Sequence, residues 1–173
     1  MSNLIALLQQ ETSNMNSILD LGCGDGRFIK RLDLKNYLGV DVYQPELDEL
    51  KLTHNVIQLD ITNLSIFVDK SFDCVMAVDV VEHLKKKDAL DLIVSMERIA
   101  RKKVIIITPE GYLEQTPYES GMDPSEYQRH LSGFSLEELE CLGYKLIDRI
   151  PGDNTHNRKW NGLFVLKEFK WNQ

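Results

Sequence analysis

The chain has 173 residues, of which 43% are hydrophobic and 27% charged, a size that fits one compact domain with a buried core. The net charge of −7 argues against general binding to a nucleic-acid backbone, and no apolar stretch is long enough to cross a bilayer. Three scattered cysteines, Cys23, Cys74 and Cys141, lack the spacing of a disulfide framework or a zinc site, so we expect a soluble, cytoplasmic protein.

Apolar runs alternate with helical patterns along most of the chain. Residues 1–15 begin with an interrupted apolar stretch without basic flanks, which predicts an amphipathic N-terminal helix rather than a secretory signal. The alternation that follows is typical of a mainly parallel sheet with helices on both faces. The predicted strands are 17–21, 36–40, 55–59, 72–78 and 103–108.

A crossover helix is predicted between the fourth and fifth strands, from apolar residues at helical spacing. Basic residues bracket this helix, and we interpret them as solvated helix ends rather than as a nucleic-acid contact. The apolar positions are Ala89, Leu90, Leu92, Ile93, Met96, Ile99 and Ala100. The basic residues are Lys85, Lys86, Lys87, Arg98, Arg101, Lys102 and Lys103.

The pattern changes after the fifth strand. Residues 109–134 are polar and broken by Gly111, Pro117, Gly121 and Pro124, which indicates a functional loop. Ser135 with Glu138 three residues later predicts a capped helix. Two consecutive strands, 144–150 and 162–169, follow with only a polar turn between them, so the sheet should finish antiparallel. That turn contains Pro151, Gly152, Asp153 and Asn154.

A glycine loop ends the first strand, in the run ILDLGCGDGRF at 18–28. Gly22, Gly24 and Gly26 allow left-handed backbone and close approach of a ligand, and we expect a helix to follow with free backbone donors. The spacing lacks the third glycine of the dinucleotide fingerprint G-x-G-x-x-G. Asp41 follows the loop by about twenty residues, where a carboxylate can accept both hydroxyls of a ribose.

These segments resemble the class I S-adenosylmethionine-dependent methyltransferases, in particular the type 11 group. ILDLGCGDGRF is similar to their first motif, YLGVDVYQPEL to the second, VIQLDIT to the third, FDCVMAVDVVEHL to the fourth and RKKVIIITPEG to the fifth. The resemblance implies an α/β, Rossmann-like sheet of seven strands in the order 3-2-1-4-5-7-6, with strand seven antiparallel. It implies one methyltransferase domain over residues 1–173 and S-adenosylmethionine as cofactor.

The resemblance also implies where the cofactor is held. Asp20, Gly22 and Gly24 would hold its methionine part, and Asp41 its ribose. The remaining implied contacts are Asp60 and the Ile61 backbone near adenine, and Asp79 near the ammonium and the methyl group. Two alternatives stay open, because Asp60 could instead cap a short helix from Thr62 and Asp79 could serve helix entry.

Two histidines could act as a general base, although methyl transfer from a sulfonium needs little beyond alignment and proton removal. His83 lies in the run VVEHL, where a structural role competes with the catalytic one, and His130 lies in the 109–134 segment, where the family often builds its acceptor pocket. His54 and His156 stand outside any motif, and we expect them in exposed loops. The acid pattern of metal-dependent catechol-type members is not evident, so the sequence predicts no metal.

Aromatic residues of the same segment could wall an acceptor pocket or belong to the core. They are Tyr112, Tyr118, Tyr127 and Phe134, to which Trp160 could be added. The acids around them disfavour a strongly anionic acceptor, namely Glu110, Glu114, Glu119, Asp123 and Glu126.

The leading functional hypothesis is methyl transfer to a small-molecule acceptor. A non-catalytic S-adenosylmethionine-binding module, or a subunit of a partner enzyme, is the first alternative, and a nicotinamide oxidoreductase is the second. Because the chain is short and carries only an N-terminal helix to cover the cofactor, substrate recognition could require a homodimer or a protein partner.

Overall fold

The computed structural model describes residues 2–32, 34, 36–114, 126–151 and 161–170, and seven strands in them form one sheet. The strands are β1 (Ile18–Leu21), β2 (Tyr37–Asp41), β3 (Val56–Gln58), β4 (Phe72–Val78), β5 (Ala100–Pro109), β6 (Lys145–Pro151) and β7 (Asn161–Glu168). Their order is β3-β2-β1-β4-β5-β7-β6, and β7 is antiparallel to both of its neighbours. The expected order and the antiparallel seventh strand are confirmed.

Helices cover both faces of the sheet, as expected for strands buried on two sides. The α-helices are α1 (Ser2–Thr12), α2 (Gln44–Leu50), α3 (Lys86–Ile99) and α4 (Leu136–Cys141). Leu19 and Leu21 point to one face and pack with α3 and α4, whereas Ile18 points to the other and packs with α1 and α2. The period of two in strand side chains therefore produces two separate core layers.

The expected helix after the glycine loop is reduced to one 3-10 turn, Ile29–Arg31. Leu32 closes this turn in extended backbone, and β2 begins at Tyr37. A typical α-helix takes about 11 residues. The stretch between Gly26 and β2 is therefore too short for a full helix with connections at both ends.

Ser135 caps α4 as predicted, with Glu138 completing the reciprocal capping box. Ala100, expected at the end of the crossover helix, begins β5 instead. Lys103, expected at a solvated helix end, is buried, and its ammonium lies 2.7 Å from a carboxylate oxygen of Glu11 at the end of α1. That expectation was wrong because β5 begins three residues earlier than predicted, so Lys103 lies inside the strand and not at its exposed start.

Within the ranges that the structure describes, no helix is long and apolar enough to cross a membrane. Several residues named from the sequence lie outside those ranges: Pro117, Tyr118, Glu119, Gly121, Asp123, Pro124, Gly152, Asp153, Asn154, His156 and Trp160. The described parts of the 109–134 segment are its two ends, 109–114 and 126–134. They are joined by a hydrogen bond from Gly111 N–H to the Phe134 carbonyl at 2.8 Å.

Candidate functional site

The strand order reverses at β1, which lies between β2 and β4. Leu21 pairs with Val40 on one side and Ala77 on the other, so all three strands end at the same edge of the sheet. In open α/β sheets, ligands bind beyond the carboxyl ends of the strands at such a reversal. The glycine loop follows β1 at this edge, and Asp79 follows β4.

The three glycines of the loop all have left-handed backbone, with φ of 72° at Gly22, 52° at Gly24 and 75° at Gly26. A Cβ at Gly22 would lie 2.5 Å from Val80 Cγ2, and one at Gly26 would lie 2.5 Å from Leu50 Cδ1. Packing alone therefore requires glycine at both positions. Gly24 is different, because the nearest atom to its Cβ would be a carboxylate oxygen of Glu46 at 3.1 Å.

Asp41 ties the end of β2 to the glycine loop. Its Oδ2 accepts a hydrogen bond from Gly24 N–H at 2.8 Å, and its Oδ1 accepts one from Tyr43 N–H at 2.8 Å. Each carboxylate oxygen can accept a second hydrogen bond. The carboxylate is thus fixed in position and can still accept hydroxyl groups from a ligand.

Asp20 is buried one residue before the end of β1, with 3% of its surface exposed. The Tyr37 hydroxyl donates to its Oδ2 at 2.7 Å. Burial raises the pKa of the Asp20 carboxyl to about 7, although the Tyr37 hydrogen bond opposes the shift and the Asp41 charge adds to it. Asp20 is therefore a carboxyl whose charge can change near neutral pH.

Asp60 lies in an exposed turn rather than at the start of a helix. Its Oδ1 accepts hydrogen bonds from Thr62 N–H at 2.9 Å and from the Thr62 hydroxyl at 2.8 Å, and no helix begins at Thr62. The helix-cap alternative for Asp60 was therefore wrong. Its Oδ2 is not used by this turn, and half-buried Ile61 packs against the core beside it.

Asp79 has φ of 54°, a left-handed conformation that is uncommon for a residue with a side chain. Its N–H donates to the Ile107 carbonyl of β5 at 2.9 Å, which holds this backbone in place. The helix-entry alternative fails, because the following 3-10 turn (Val81–His83) starts after Val80 and has no side-chain cap. Asp79 opens to solvent at the edge of the sheet, yet the protein packed around its carboxyl removes hydration and raises its pKa.

His83 and His130 lie against each other, with ring centroids 4.9 Å apart and planes at 70°. The Nδ1 of His83 lies 3.2 Å from the Arg129 carbonyl, and the Nδ1 of His130 lies 2.7 Å from the Leu113 carbonyl. Since a carbonyl can only accept, both Nδ1 atoms carry the proton and both Nε2 atoms keep a lone pair. Burial lowers the pKa of both imidazoles, to about 4 for His83, where the neighbouring His130 adds to the effect.

Glu82 joins this pair and was missed by the sequence reasoning. The residue is 1% exposed, and its Oε2 accepts a hydrogen bond from the Thr108 hydroxyl at 3.0 Å. One ligand-type atom from each of Glu82, His83 and His130 lies within 4.8 Å of the other two. Burial, and secondarily the charge of Asp79, raises the pKa of the Glu82 carboxyl to about 8. The signal in the sequence was the acid directly before His83.

The aromatic residues of the 109–134 segment do not act as one group. Phe134 is fully buried in the core, with the Lys86 ammonium 3.5 Å from its ring centroid. Tyr112 and Tyr127 are 63% and 53% exposed. Only these two tyrosines, among the aromatic residues of this segment that the structure describes, are exposed to solvent.

Comparisons with known proteins agree with this arrangement. A family model for a methyltransferase domain matches residues 19–108, from the second residue of β1 to Thr108 of β5. An uncharacterized protein of Methanocaldococcus jannaschii, MJ0638, is 26% identical over 149 residues, which cover 83% of this chain. The chain spans only 62% of the length of that relative.

Two solved structures share the fold. A SAM-dependent methyltransferase from Archaeoglobus fulgidus is 18% identical with a TM-score of 0.68, and the match covers 97% of this chain and 94% of that one. A magnesium protoporphyrin IX methyltransferase from Synechocystis PCC 6803, with bound SAH, is 16% identical with a TM-score of 0.67. That match covers 96% of this chain and 81% of the other.

Proposed function

Because the chain belongs to the methyltransferase-domain family, class I and type 11-like, we propose that it transfers a methyl group from S-adenosylmethionine (SAM) to a small-molecule acceptor. The observation that carries the proposal is the contact of Asp41 Oδ2 with Gly24 N–H at 2.8 Å. This contact brings an acid at the end of β2 against the glycine loop after β1. That is the arrangement a nucleoside cofactor requires at the reversal of strand order.

The residues at this edge fit such a cofactor. Asp41 has acceptor capacity for ribose hydroxyls, and the open side of Gly24 allows close approach to the backbone. Asp20 and Asp79 supply negative charge for an ammonium group. Asp60, through its unused Oδ2, and the backbone of Ile61 would contact the adenine. Gly22 supports the loop by its packing on Val80.

When bound, SAM supplies a methyl carbon activated by a positively charged sulfur. The acceptor atom forms a bond to this carbon as the carbon–sulfur bond breaks, and any proton on the acceptor must leave. His83 or His130 can take that proton at Nε2, since Nδ1 of each ring is already engaged. The lowered pKa of both imidazoles keeps them neutral and able to accept at pH 7.

We also propose the remaining features of the protein from the same observations. The exposed Tyr112 and Tyr127 would contact a flat or apolar acceptor, and a net charge of −7 disfavours an anionic one. The three cysteines are free, with Cys23 and Cys74 buried, which supports a reducing, cytoplasmic setting. A second copy of the chain or a protein partner would complete acceptor recognition.

Calorimetric titration with SAM, S-adenosylhomocysteine (SAH) and NAD⁺ tests the donor site. We expect the two sulfur compounds to bind and NAD⁺ not to bind. Asp41→Asn removes the charge and one acceptor face, and should weaken SAM binding at least tenfold, about 1.4 kcal/mol. Asp91→Asn is the matched control, because Asp91 lies on α3 in an exposed pair with Lys87.

Absence of binding to both sulfur compounds would refute the proposal, and NAD⁺ binding in their place would favour the nicotinamide alternative. Once binding is established, SAH formation should be measured with a panel of acceptors that carry hydroxyl, amine or activated carbon nucleophiles. SAM binding without SAH formation from any acceptor would favour the non-catalytic module.

A further inference from the structure

The cluster of Glu82, His83 and His130 brings together three groups that can bind a metal ion, whereas a general base needs only one side chain. We propose that these three residues form a binding site for a divalent first-row transition cation. One ligand-type atom from each lies within 4.8 Å of the other two, and Glu82 is almost completely buried. One carboxylate and two imidazoles are a common protein ligand set for such cations.

The hydrogen bonds on the far side of both rings support this assignment. His83 and His130 each donate Nδ1–H to a backbone carbonyl, of Arg129 and Leu113, at 3.2 and 2.7 Å. Histidines that bind metals almost always donate their other N–H in this way, which fixes the tautomer and the orientation of the ring. A base would need only one such ring, whereas here two rings lie beside a carboxylate.

The carboxylate is oriented in the same manner. Thr108 donates its hydroxyl proton to Glu82 Oε2 at 3.0 Å, and backbone N–H groups of Glu82 and Val80 also donate to this carboxylate. The two oxygens of a carboxylate have four lone pairs, so three hydrogen bonds leave one for a cation. The Glu82 carbonyl accepts hydrogen bonds from the N–H groups of Leu131 and Ser132, at 2.8 and 3.1 Å. These bonds hold the chain next to His130 against the turn that carries His83. The cluster is thus assembled by backbone contacts that do not depend on a metal.

The ligand chemistry selects the class of cation. Imidazole nitrogens suit Zn²⁺, Co²⁺, Fe²⁺ or Ni²⁺, whereas Mg²⁺ and Ca²⁺ prefer oxygen ligands. The cation displaces the proton of the Glu82 carboxyl when it binds. Two neutral imidazoles and one carboxylate then leave the divalent ion with a net positive charge. On binding, each of the three ligand atoms would lie about 2.0–2.2 Å from the cation.

The position of the site suggests its use, an argument that rests on the proposed function. Asp79, at the end of β4, lies three residues before Glu82, so the cluster borders the edge where the methyl group would be presented. Three protein ligands leave at least one coordination position open. An acceptor hydroxyl at that position would release its proton to solvent more readily, because a bound divalent cation stabilises the anion. His83 and His130 would then act as metal ligands and not as the general base.

Metal binding can be tested without any acceptor. Untagged protein is freed of metal with a chelator and titrated with Co²⁺, whose visible d–d absorption reports nitrogen and oxygen coordination, and Zn²⁺ is added in competition. We expect one Co²⁺ per chain, displaced by Zn²⁺ but not by an equal concentration of Mg²⁺. Glu82→Gln, His83→Gln and His130→Gln should each lower the Co²⁺ affinity at least tenfold.

His54→Gln is the matched control, since the His54 Nδ1 lies 2.8 Å from the Thr53 hydroxyl in a separate part of the chain. SAM binding and circular dichroism in the same samples separate this proposal from the proposed function and from loss of fold. SAM binding without Co²⁺ binding would overturn the metal site alone. Co²⁺ binding unaffected by the three substitutions, or displaced by Mg²⁺, would also overturn it.

Discussion

Gly24 is the position at which ligand binding and packing can be separated in the glycine loop. Its φ of 52° makes any side chain strained, but a Cβ would meet only the flexible end of Glu46, at 3.1 Å. Gly24→Ala should therefore cost about 1–2 kcal/mol of unfolding free energy, from backbone strain alone. The added methyl group would occupy the space proposed for the cofactor, and we expect SAM affinity to fall at least tenfold.

Gly111→Ala is the matched control for strain. Gly111 has a φ of 80° with no atom within 4 Å of the built Cβ, so its stability loss should be similar while SAM affinity is unchanged. Denaturant unfolding and calorimetry on both variants make the comparison. Equal SAM affinity in Gly24→Ala and the unaltered protein would show that the ligand does not approach Gly24.

The positions of individual acids at the strand ends could be predicted, because each acid follows an apolar run that indicates a strand. Asp41 and Asp79 are examples, and both lie at the expected edge of the sheet. The pairing of His83 with His130 could not be predicted, since it depends on backbone contacts between segments more than forty residues apart in the chain. The burial of Glu82 could not be predicted, because it depends on the turn after β4, which has no periodic hydrophobic pattern.

At the scale of secondary-structure elements, the strands could be predicted from the sequence, but the short connections between them could not. β4 has the predicted bounds because its seven residues are an unbroken buried or half-buried run that crosses the middle of the sheet. The connection after the glycine loop was predicted as a helix, but only ten residues, 27–36, separate Gly26 from Tyr37. The start of β5 was also misplaced, because Ala100 is a strong helix former and continues the helical spacing of the apolar residues before it, although it begins the strand.

The helix α1 is held to the sheet by a buried ion pair, which gives a prediction about this element. Lys103 of β5 and Glu11 of α1 have side chains only 8% and 15% exposed, with 2.7 Å between their charged atoms. Removing the Glu11 charge leaves the buried Lys103 ammonium with the exposed Glu168 carboxylate, 3.6 Å away, as a weaker counter-charge. Glu11→Gln should therefore lower the unfolding free energy by about 2 kcal/mol or more, measured by denaturant unfolding.

The exposed pair of Lys87 and Asp91 is the control for that experiment. Its side chains are 83% and 66% exposed, and Asp91→Asn should change stability by less than about 0.5 kcal/mol. A double variant, Glu11→Leu with Lys103→Met, should recover most of the loss, because it removes both buried charges. A Glu11→Gln protein as stable as Asp91→Asn would mean that the pair does not anchor α1.

At the scale of the whole molecule, the alternation of apolar runs and helices predicts a parallel sheet covered on both faces, and two core layers form as a result. The order of the strands does not follow from that pattern, since many orders bury the same faces. It was expected from the resemblance of five motifs to a known family, and it is confirmed. Sequence periodicity therefore predicted the layers, and the motifs predicted the topology.

Asp20 makes the stability of the entire fold depend on pH, because it is buried at the centre of the sheet. Its pKa is about 7 in the folded protein and 3.8 for an ordinary aspartate. Between these two values the folded state binds more protons than the unfolded state. The contribution of Asp20 to stability is therefore complete below about pH 4 and is lost as the pH rises through 7.

We therefore expect Asp20→Asn to be more stable than the unaltered protein at pH 8, by on the order of 2 kcal/mol, with the difference vanishing by pH 4. Asparagine can still accept the Tyr37 hydrogen bond, so the substitution removes the charge and keeps the contact. Denaturant unfolding of both proteins at pH 4, 6 and 8 gives the difference between their unfolding free energies. Titratable groups that behave alike in the two proteins do not contribute to this difference. A difference independent of pH would mean that Asp20 does not titrate in this range. Saturation with SAM should reduce the stability difference between the two proteins at pH 8. An ammonium group beside Asp20 would stabilise the ionised carboxylate, which Asp20→Asn lacks.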